Sequence, residues 1–437
     1  SIFYHSALGM KLHHGSGPFG QLYAAPDING AYLRNRINLL VNYGQDALDV
    51  MIEFCRKNDL EIFYSNRMND AHDYYIPGIM YYLRVRHPEY TIGYANNGKS
   101  PQETLKDLLH TRTAYSGYNF GLEVIRDLTV EAMREVCQTY DIDGIELDYF
   151  RSPYLVPMPV DATEIEQLND MMRNMRKMTE EEGLRRGRPI LIAGRCINDL
   201  EHSLRYGLDV NTWLAEGLVD LLMPIHVGAP RGTQQGSLKA FIDLAHQYDV
   251  LVYPCLRRVA QEEFGPHGIT WEICRGEAMS RFVEGADGIT TFNRFVPTHQ
   301  RWRELGDPKV LRDLDKTYTC PQDLPVTVTD KGSDPMPLLV GDDVTATAAD
   351  KRRVLKLRVH VTGLTANYGL EVELNGQTLE PTKTSPELGS SPQEVWFEFS
   401  PDLTIFKAGE NLVTATLKHV GGTVTIDDLG LDVVYVD

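Results

Sequence analysis

The sequence predicts an α/β fold of the (β/α)8 TIM-barrel class followed by a small all-β sandwich. Three observations carry the prediction. Short apolar runs alternate with amphipathic stretches as far as about residue 300, and the runs number eight, the count a closed barrel requires. Beyond Tyr318 the helical period gives way to alternating strands and turns.

The expected strands are Ile2–His5, Glu61–Ser65, Tyr90–Tyr94, Gly144–Phe150, Ile190–Gly194, Leu218–Pro224, Val250–Pro254 and Gly288–Phe292. Between them Ala47–Asn58, Thr129–Tyr140, Glu164–Glu182, Leu238–Tyr248 and Trp271–Glu284 repeat apolar residues at three- and four-residue spacing and are expected as helices. No GxGxxG follows the first strand and no GxxxxGK[ST] occurs, which disfavours a nucleotide-binding doubly wound sheet. The turn-rich stretches Cys320–Pro325 and Lys331–Pro337 mark a junction. The expected division is a barrel over 1–320, a linker over 321–336 and a sandwich over 337–437. In the last part Val354–Val361, Leu370–Leu374, Glu394–Phe399, Asn411–Leu417 and Leu431–Val436 read as strands, with an Asn375-Gly376 turn. Its Trp396 lies in an apolar strand and is expected to be buried.

A chain of 437 residues accommodates two such domains. The net charge of −18 leaves no basic surface for a phosphate backbone, so no nucleic-acid partner is expected. No run approaches the roughly 18 apolar residues of a membrane span, and no membrane partner is expected either. The six cysteines lack zinc-finger spacing and read as small buried hydrophobes. No metal and no cofactor is expected. No signal-peptide pattern stands at Ser1, so an export signal is either already removed or was never there; a periplasmic or secreted setting is favoured.

The chemistry is expected at Asp143–Asp148. A strand period of two sets Gly144, Glu146 and Asp148 on one face and Ile145, Leu147 and Tyr149 on the other. The apolar face suits a helix layer, and the polar face then points into the barrel and rises to the C-terminal rim, where such barrels keep their active sites. Two carboxyl groups are what glycosidic cleavage uses, one as acid and one as nucleophile or base. Glu146, expected as the deeper of the two, should lose more hydration, leaving Asp148 as the ionised member. A second cluster, Arg67, Asn69, Asp70, His72 and Asp73, follows the strand Glu61–Ser65 and offers the hydrogen-bonding groups that sugars require, with Asp70 or Asp73 as a catalytic partner. Further rim candidates are Arg195 and Asn198, His226, Arg257 and Asn293, with Glu262 and Glu263 as loop carboxylates.

Asp143–Arg151, Arg67–Asp73 and Gly285–Asn293 resemble motifs of the family-ten-like glycosyl hydrolase-like proteins. The resemblance spans roughly residues 45 to 318 and implies a TIM barrel and a carbohydrate substrate. The strand motif is also similar to the DGxDxDxE pattern of chitinases, with Asp143-Gly144 at its start, Glu146 as the next acid and Asp148 as the last Asp. Phe150 stands where that pattern has its acid Glu, so the acetamido-assisted chitinase mechanism is not carried over. Two other readings stay open: a non-catalytic carbohydrate-binding barrel, and a metal-dependent hydrolase using Asp70, His72, Asp148 and His226. The arginines Arg67, Arg195, Arg231, Arg257 and Arg258 admit an acidic or sulfated glycan.

Overall fold

The computed structural model describes residues 47–71, 82–111, 115–150, 152–225, 236–256, 270–291, 302–320, 324–343, 352–389, 391–407 and 409–436. It is a mixed α/β structure in two compact units. The first runs through Pro224 and takes Ala245–Leu251; the second holds Ile225–Leu244 and everything from Val252 onward. The expected strand Ile2–His5 lies outside the described residues.

The first unit is built on a sheet of order β1-β2-β3-β4-β5, with β1 Phe63–Arg67, β2 Gly144–Asp148, β3 Leu191–Ile197, β4 Leu221–Ile225 and β5 Leu251–Val252. β1 with β2 and β2 with β3 are parallel. Helix α1, Ala47–Lys57, precedes β1; α2, Glu123–Thr139, precedes β2; α3, Ala162–Arg186, follows it. α3 outruns its sequence pattern at both ends for local reasons. Asp161 and Glu164 form a reciprocal capping box at its start, and Gly187, at φ 79°, ends it in the left-handed conformation. The methionines Met171, Met172, Met175 and Met178 fill the face that α3 buries, and Ile145, Leu147 and Ile192 of the sheet are fully covered. Tyr149 packs at 5.2 Å on Trp213, whose indole N–H donates to Asn169.

Tyr90–Tyr94 is helical, not a strand. A 3-10 turn over Pro88–Tyr90 leads to Thr91, whose hydroxyl caps the helix Ile92–Asn97 by accepting from the Tyr94 amide. Local capping outweighs the β propensity of Tyr90, Thr91 and Ile92. Among the described residues before 300 the strands form the five-strand ladder and a separate parallel pair, β6 Cys255–Leu256 with β7 Thr290–Thr291.

Three aspartates set the strands in register. Asp143 accepts from the Ile62 amide at 2.7 Å, Asp220 from Ile192 at 2.6 Å and Asp287 from Val252 at 2.8 Å. Each also donates its own amide to the carbonyl of that same residue. The Asp-Gly pairs 143-144 and 287-288 are therefore scaffold. At Gly144 a Cβ would stand 2.3 Å from the Phe63 ring and 2.7 Å from the Leu191 carbonyl; at Gly288 it would stand 2.2 Å from the Tyr253 ring. Gly144→Ala is accordingly expected to cost about 1–3 kcal/mol through overpacking against backbone that cannot yield. A chemical-denaturation midpoint equal to that of the unaltered protein would refute this.

In the second unit, α4, Trp271–Val283, packs on a sandwich whose strands are β8 Lys316–Thr319, β9 Val326–Thr329, β10 Met336–Val340, β11 Arg352–Leu364, β12 Leu370–Leu374, β13 Gln377–Leu379, β14 Pro381–Ser385, β15 Gln393–Phe399, β16 Gly409–Leu417 and β17 Thr423–Val436. One sheet has the order β10-β16-β12-β13; the other has β14-β15-β11-β17-β8, with β9 also on β17. Leu338, Leu357, Val359, Phe399, Val413 and Leu431 are among the residues that close the core between them. The stretch 321–336, expected as a linker, supplies β9, because Val326 and Val328 alternate into that core. α4 meets the sandwich closely: a Cβ on Gly276 would stand 2.4 Å from the Thr317 carbonyl, and Ser280 donates to the Leu339 carbonyl at 2.8 Å. All described cysteines are free thiols and five are buried; burial holds the Cys137 and Cys196 thiols at about 12. No described helix is long and apolar enough to cross a membrane.

Candidate functional site

Parallel register brings the candidate residues together in two rows across β1, β2 and β3. Ser65, Glu146 and Ala193 are one set of partners; Arg67, Asp148 and Arg195 are the next, nearer the C-terminal ends. In-register residues of parallel neighbours share a face, so Asp148 stands between two guanidinium-bearing positions. The Nε of Arg195 lies 2.7 Å from Glu146 Oε1 and 3.8 Å from Asp148 Oδ1. Both carboxyl groups thus approach one nitrogen. Asp148 Oδ1 also accepts from the Phe150 amide at 3.1 Å.

The depth of the two carboxyls is the reverse of the expectation. The Asp148 side chain is 4% exposed and that of Glu146 13%. β2 ends at Asp148, and the chain folds back over it through the Phe150 amide, whereas Glu146 reaches out to Arg195. Burial pushes the Asp148 carboxyl above the usual carboxylate range; Arg195 opposes the shift, and the charge of Glu146 adds to it. The direction of this shift favours the protonated form of Asp148, where the strand pattern predicts the charged one.

Asp143, the first residue of the motif, stands apart from this chemistry. It is held by Arg56 at 2.8 Å and Arg188 at 2.6 Å. Burial pushes its carboxyl up, but the hydrogen bonds from Arg56, the Ile62 amide and Arg188 outweigh that and hold it at about 2. Its folded-state value lies below the ordinary one near 3.9, so its contribution is present above about pH 4 and is lost as pH falls towards 2. Asp143→Asn should cost about 1–2 kcal/mol at neutral pH, after discounting for the part-exposed arginines, with the deficit vanishing in acid. Acid-unfolding curves of the two proteins that stay parallel down to pH 2 would contradict it.

Of the second cluster, Arg67 pairs with Asp70 at 3.1 Å. Asn69 is buried and donates to the Tyr118 and Tyr154 carbonyls at 2.9 and 2.7 Å while accepting from the Tyr118 amide at 2.8 Å. Both of its amide hydrogens are taken, so Asn69, expected as a sugar contact, ties loops together. Asn198 is half-buried just past β3. His72, Asp73, His226, Arg231, Arg257, Arg258, Glu262, Glu263 and Asn293 lie outside the described residues.

Several residues at this edge were not anticipated. Arg84, buried under Tyr118 at 4.3 Å, donates to the Asp70 carbonyl at 2.8 Å and fixes the loop after β1. Tyr115, Tyr154 and Tyr206 make successive edge-to-face contacts at 5.8 and 5.3 Å, and His202 stacks on Tyr206 at 5.4 Å. Tyr154 is 43% exposed and lies six residues past Asp148. A turn-forming Ser152-Pro153 before an aromatic, directly after the motif strand, was the signal available for it. Among the described residues no three of His, Cys, Asp and Glu gather as metal ligands.

No family model matches the chain, and no curated protein matches it. Solved structures do. A cell-surface multimodular chitinase of Paenibacillus sp. str. FPU-7 is similar over 93% of this chain and 47% of its own, with 10% identity and a TM-score of 0.38. A family 36 α-galactosidase of Geobacillus stearothermophilus is similar over 81% of this chain and 46% of its own, with 11% identity and a TM-score of 0.34. A family 18 N-acetylglucosaminidase of Paenibacillus barengoltzii is similar over 31% of this chain and 45% of its own, with 15% identity and a TM-score of 0.24. The chain thus spans about half the length of these relatives. Membership of family ten is not shown, and the functional assignment rests on the residues themselves.

Proposed function

We propose that the chain is a glycoside hydrolase of the (β/α)8 type whose chemistry lies at the C-terminal ends of β1, β2 and β3. The observation that carries this is the Arg195 Nε shared by Glu146 and Asp148. One carboxyl is buried and shifted towards its protonated form; the other is ion-paired and somewhat more open. Environments that push paired carboxyls apart create an acid and a base from like groups. Asp148 then serves as general acid and base, and Glu146 as the nucleophile that Arg195 orients. The two oxygens can be no farther apart than their distances to the shared nitrogen laid end to end. That favours the roughly 5–5.5 Å separation of retaining enzymes over the wider, roughly 6.5–9.5 Å spacing that admits a water.

The metal-dependent alternative has less support, since Asp70 is engaged by Arg67 and Asp148 faces Arg195, cations that would repel a divalent ion. Activity should be sought with neutral, uronic-acid and sulfated polysaccharides, because Arg67 and Arg195 beside Asp148 also suit an acidic sugar. The expected product retains the anomeric configuration of the bond cleaved, read by proton NMR during the first minutes of hydrolysis. An inverted product would remove Glu146 as nucleophile, and cleavage of neutral glycans alone would end the acidic-sugar reading. A protein that binds these glycans without cleaving any of them would be the non-catalytic alternative.

A further inference from the structure

The outer face of the six-stranded part of the sandwich carries an aromatic residue where a sheet of this kind shows charge. Along β15, Val395, Phe397 and Phe399 point into the core, and Trp396, expected to be buried with them, alternates onto the opposite face and is half-buried. Its strand neighbours on that face are Glu394 and Glu398. A single apolar side chain on a surface is ordinary, so the ring is informative only through its surroundings.

The surroundings of Trp396 are built rather than incidental. Its register partner on β11 is His360, whose ring lies 4.6 Å away and tilted 38°, and the Arg358 guanidinium sits 5.7 Å from the indole. Both supports come from β11. On the other side, β14 places Ser385 opposite Trp396, exposed and too small to cover the ring. Two irregularities fall at this point. His360 pairs with Asp428 but Val361 with Ile426, leaving Asp427 as the extra residue; Thr362 and Leu364 pair with Glu394 and Gln393, leaving Gly363 extra at φ 87°. The first bulge aims Asp427 at the His360 ring and at the Thr362 hydroxyl, which donates to it at 2.9 Å. Bulges re-aim side chains in this way beside functional sites.

The cations on this face are engaged by carboxylates, and Glu394 adds a further carboxylate. Arg358 is held by Asp432 at 2.8 and 3.1 Å, His360 pairs with Asp427, and Lys356 and Lys383 approach Glu398 at 3.4 and 3.7 Å. What remains is a half-buried ring bordered by hydrogen-bonding groups, with carboxylates outnumbering the fixed cations. An uncharged polyol with one flat C–H face fits that surface, whereas a polyanion would meet Asp427, Asp432 and Glu398. We propose that Trp396, with Arg358, His360, Thr362 and Asp427, forms a second carbohydrate site that binds neutral β-linked pyranosides, in addition to the hydrolytic site and independent of it.

The test uses the full chain in affinity electrophoresis through gels containing hydroxyethylcellulose, soluble xylan, barley β-glucan or polygalacturonate. The unaltered protein should be retarded by at least one of the three neutral polymers. Trp396→Ala should weaken that retardation at least tenfold, and so should Ser385→Tyr, which covers the open side from an exposed position and guards against a folding failure of the first variant. Cleavage of a short soluble substrate by either variant should match the unaltered protein. Retardation by polygalacturonate alone, retardation by none of the polymers, or unchanged retardation of both variants would overturn the proposal.

Discussion

Replacing Asp148 by asparagine is expected to lower turnover of the true substrate at least about a hundredfold, the lower end of what a positioned acid or base contributes, and at the same time to raise the melting temperature at neutral pH. The two effects share one cause. Burial raises the Asp148 carboxyl above its ordinary range, so the folded state binds the proton more tightly than the unfolded state does. For a carboxyl with a raised folded value, stability is greatest below the ordinary value and falls as pH rises through the raised one. At pH 7 the cost of burying this ionisable group therefore weighs on the fold, and asparagine removes it. The stability gain should close as the pH is lowered towards 4. A variant with lost activity and lower stability would instead mark Asp148 as a structural ion-pair member. A variant with near-normal turnover would move the acid role to Asp70 or to a loop carboxylate such as Asp73 or Glu262. Arg67 and Arg195, the register neighbours of Asp148, would then act on the substrate alone.

The second large effect is on stability, in the other unit. Lys316 is fully buried 3.2 Å from Asp342, which also accepts from Tyr318 at 2.9 Å and Tyr435 at 3.3 Å, while the lysine donates to the Leu314 carbonyl at 2.6 Å and stacks 4.9 Å from the Tyr435 ring. Burial pushes the lysine down and the aspartate up, each held towards its charged form by the other. Lys316→Met leaves Asp342 buried without its cation, at an expected cost of about 3–5 kcal/mol. The deficit should shrink as pH falls, because Asp342 can then take up a proton. Adding Asp342→Asn should recover part of the loss, since the buried charge is removed while an acceptor for Tyr318 and Tyr435 remains. Urea-unfolding midpoints of the single and double variants measure this, and additive losses would show that the pair does not act as a unit.

Much of the fold was legible because its signals are local. Strand alternation in Gly144–Asp148, Leu370–Leu374 and Glu394–Phe399, and the 3.6-residue period of Ala162–Arg186, depend on neighbours within a few residues. The helix at Ile92–Asn97 was missed because a capping threonine and a flanking proline overrode β-prone side chains. β8 and β9 were missed because short strands such as Val326–Thr329 are defined by their partner β17, far along the chain.

At the site, the sequence by itself determined that Glu146 and Asp148 share a face, since the strand period is two, and that Arg67 and Arg195 follow strands of the same kind. Only the tertiary structure decided their order of burial, because depth depends on the fold-back at Phe150 and on Arg195 reaching from β3. It likewise decided that Asp143 serves the scaffold, through arginines 87 and 45 residues away in the chain, and that Trp396 faces outward. Side-chain alternation fixes two faces for every strand; which of them meets the core is chosen by the second sheet that packs against it.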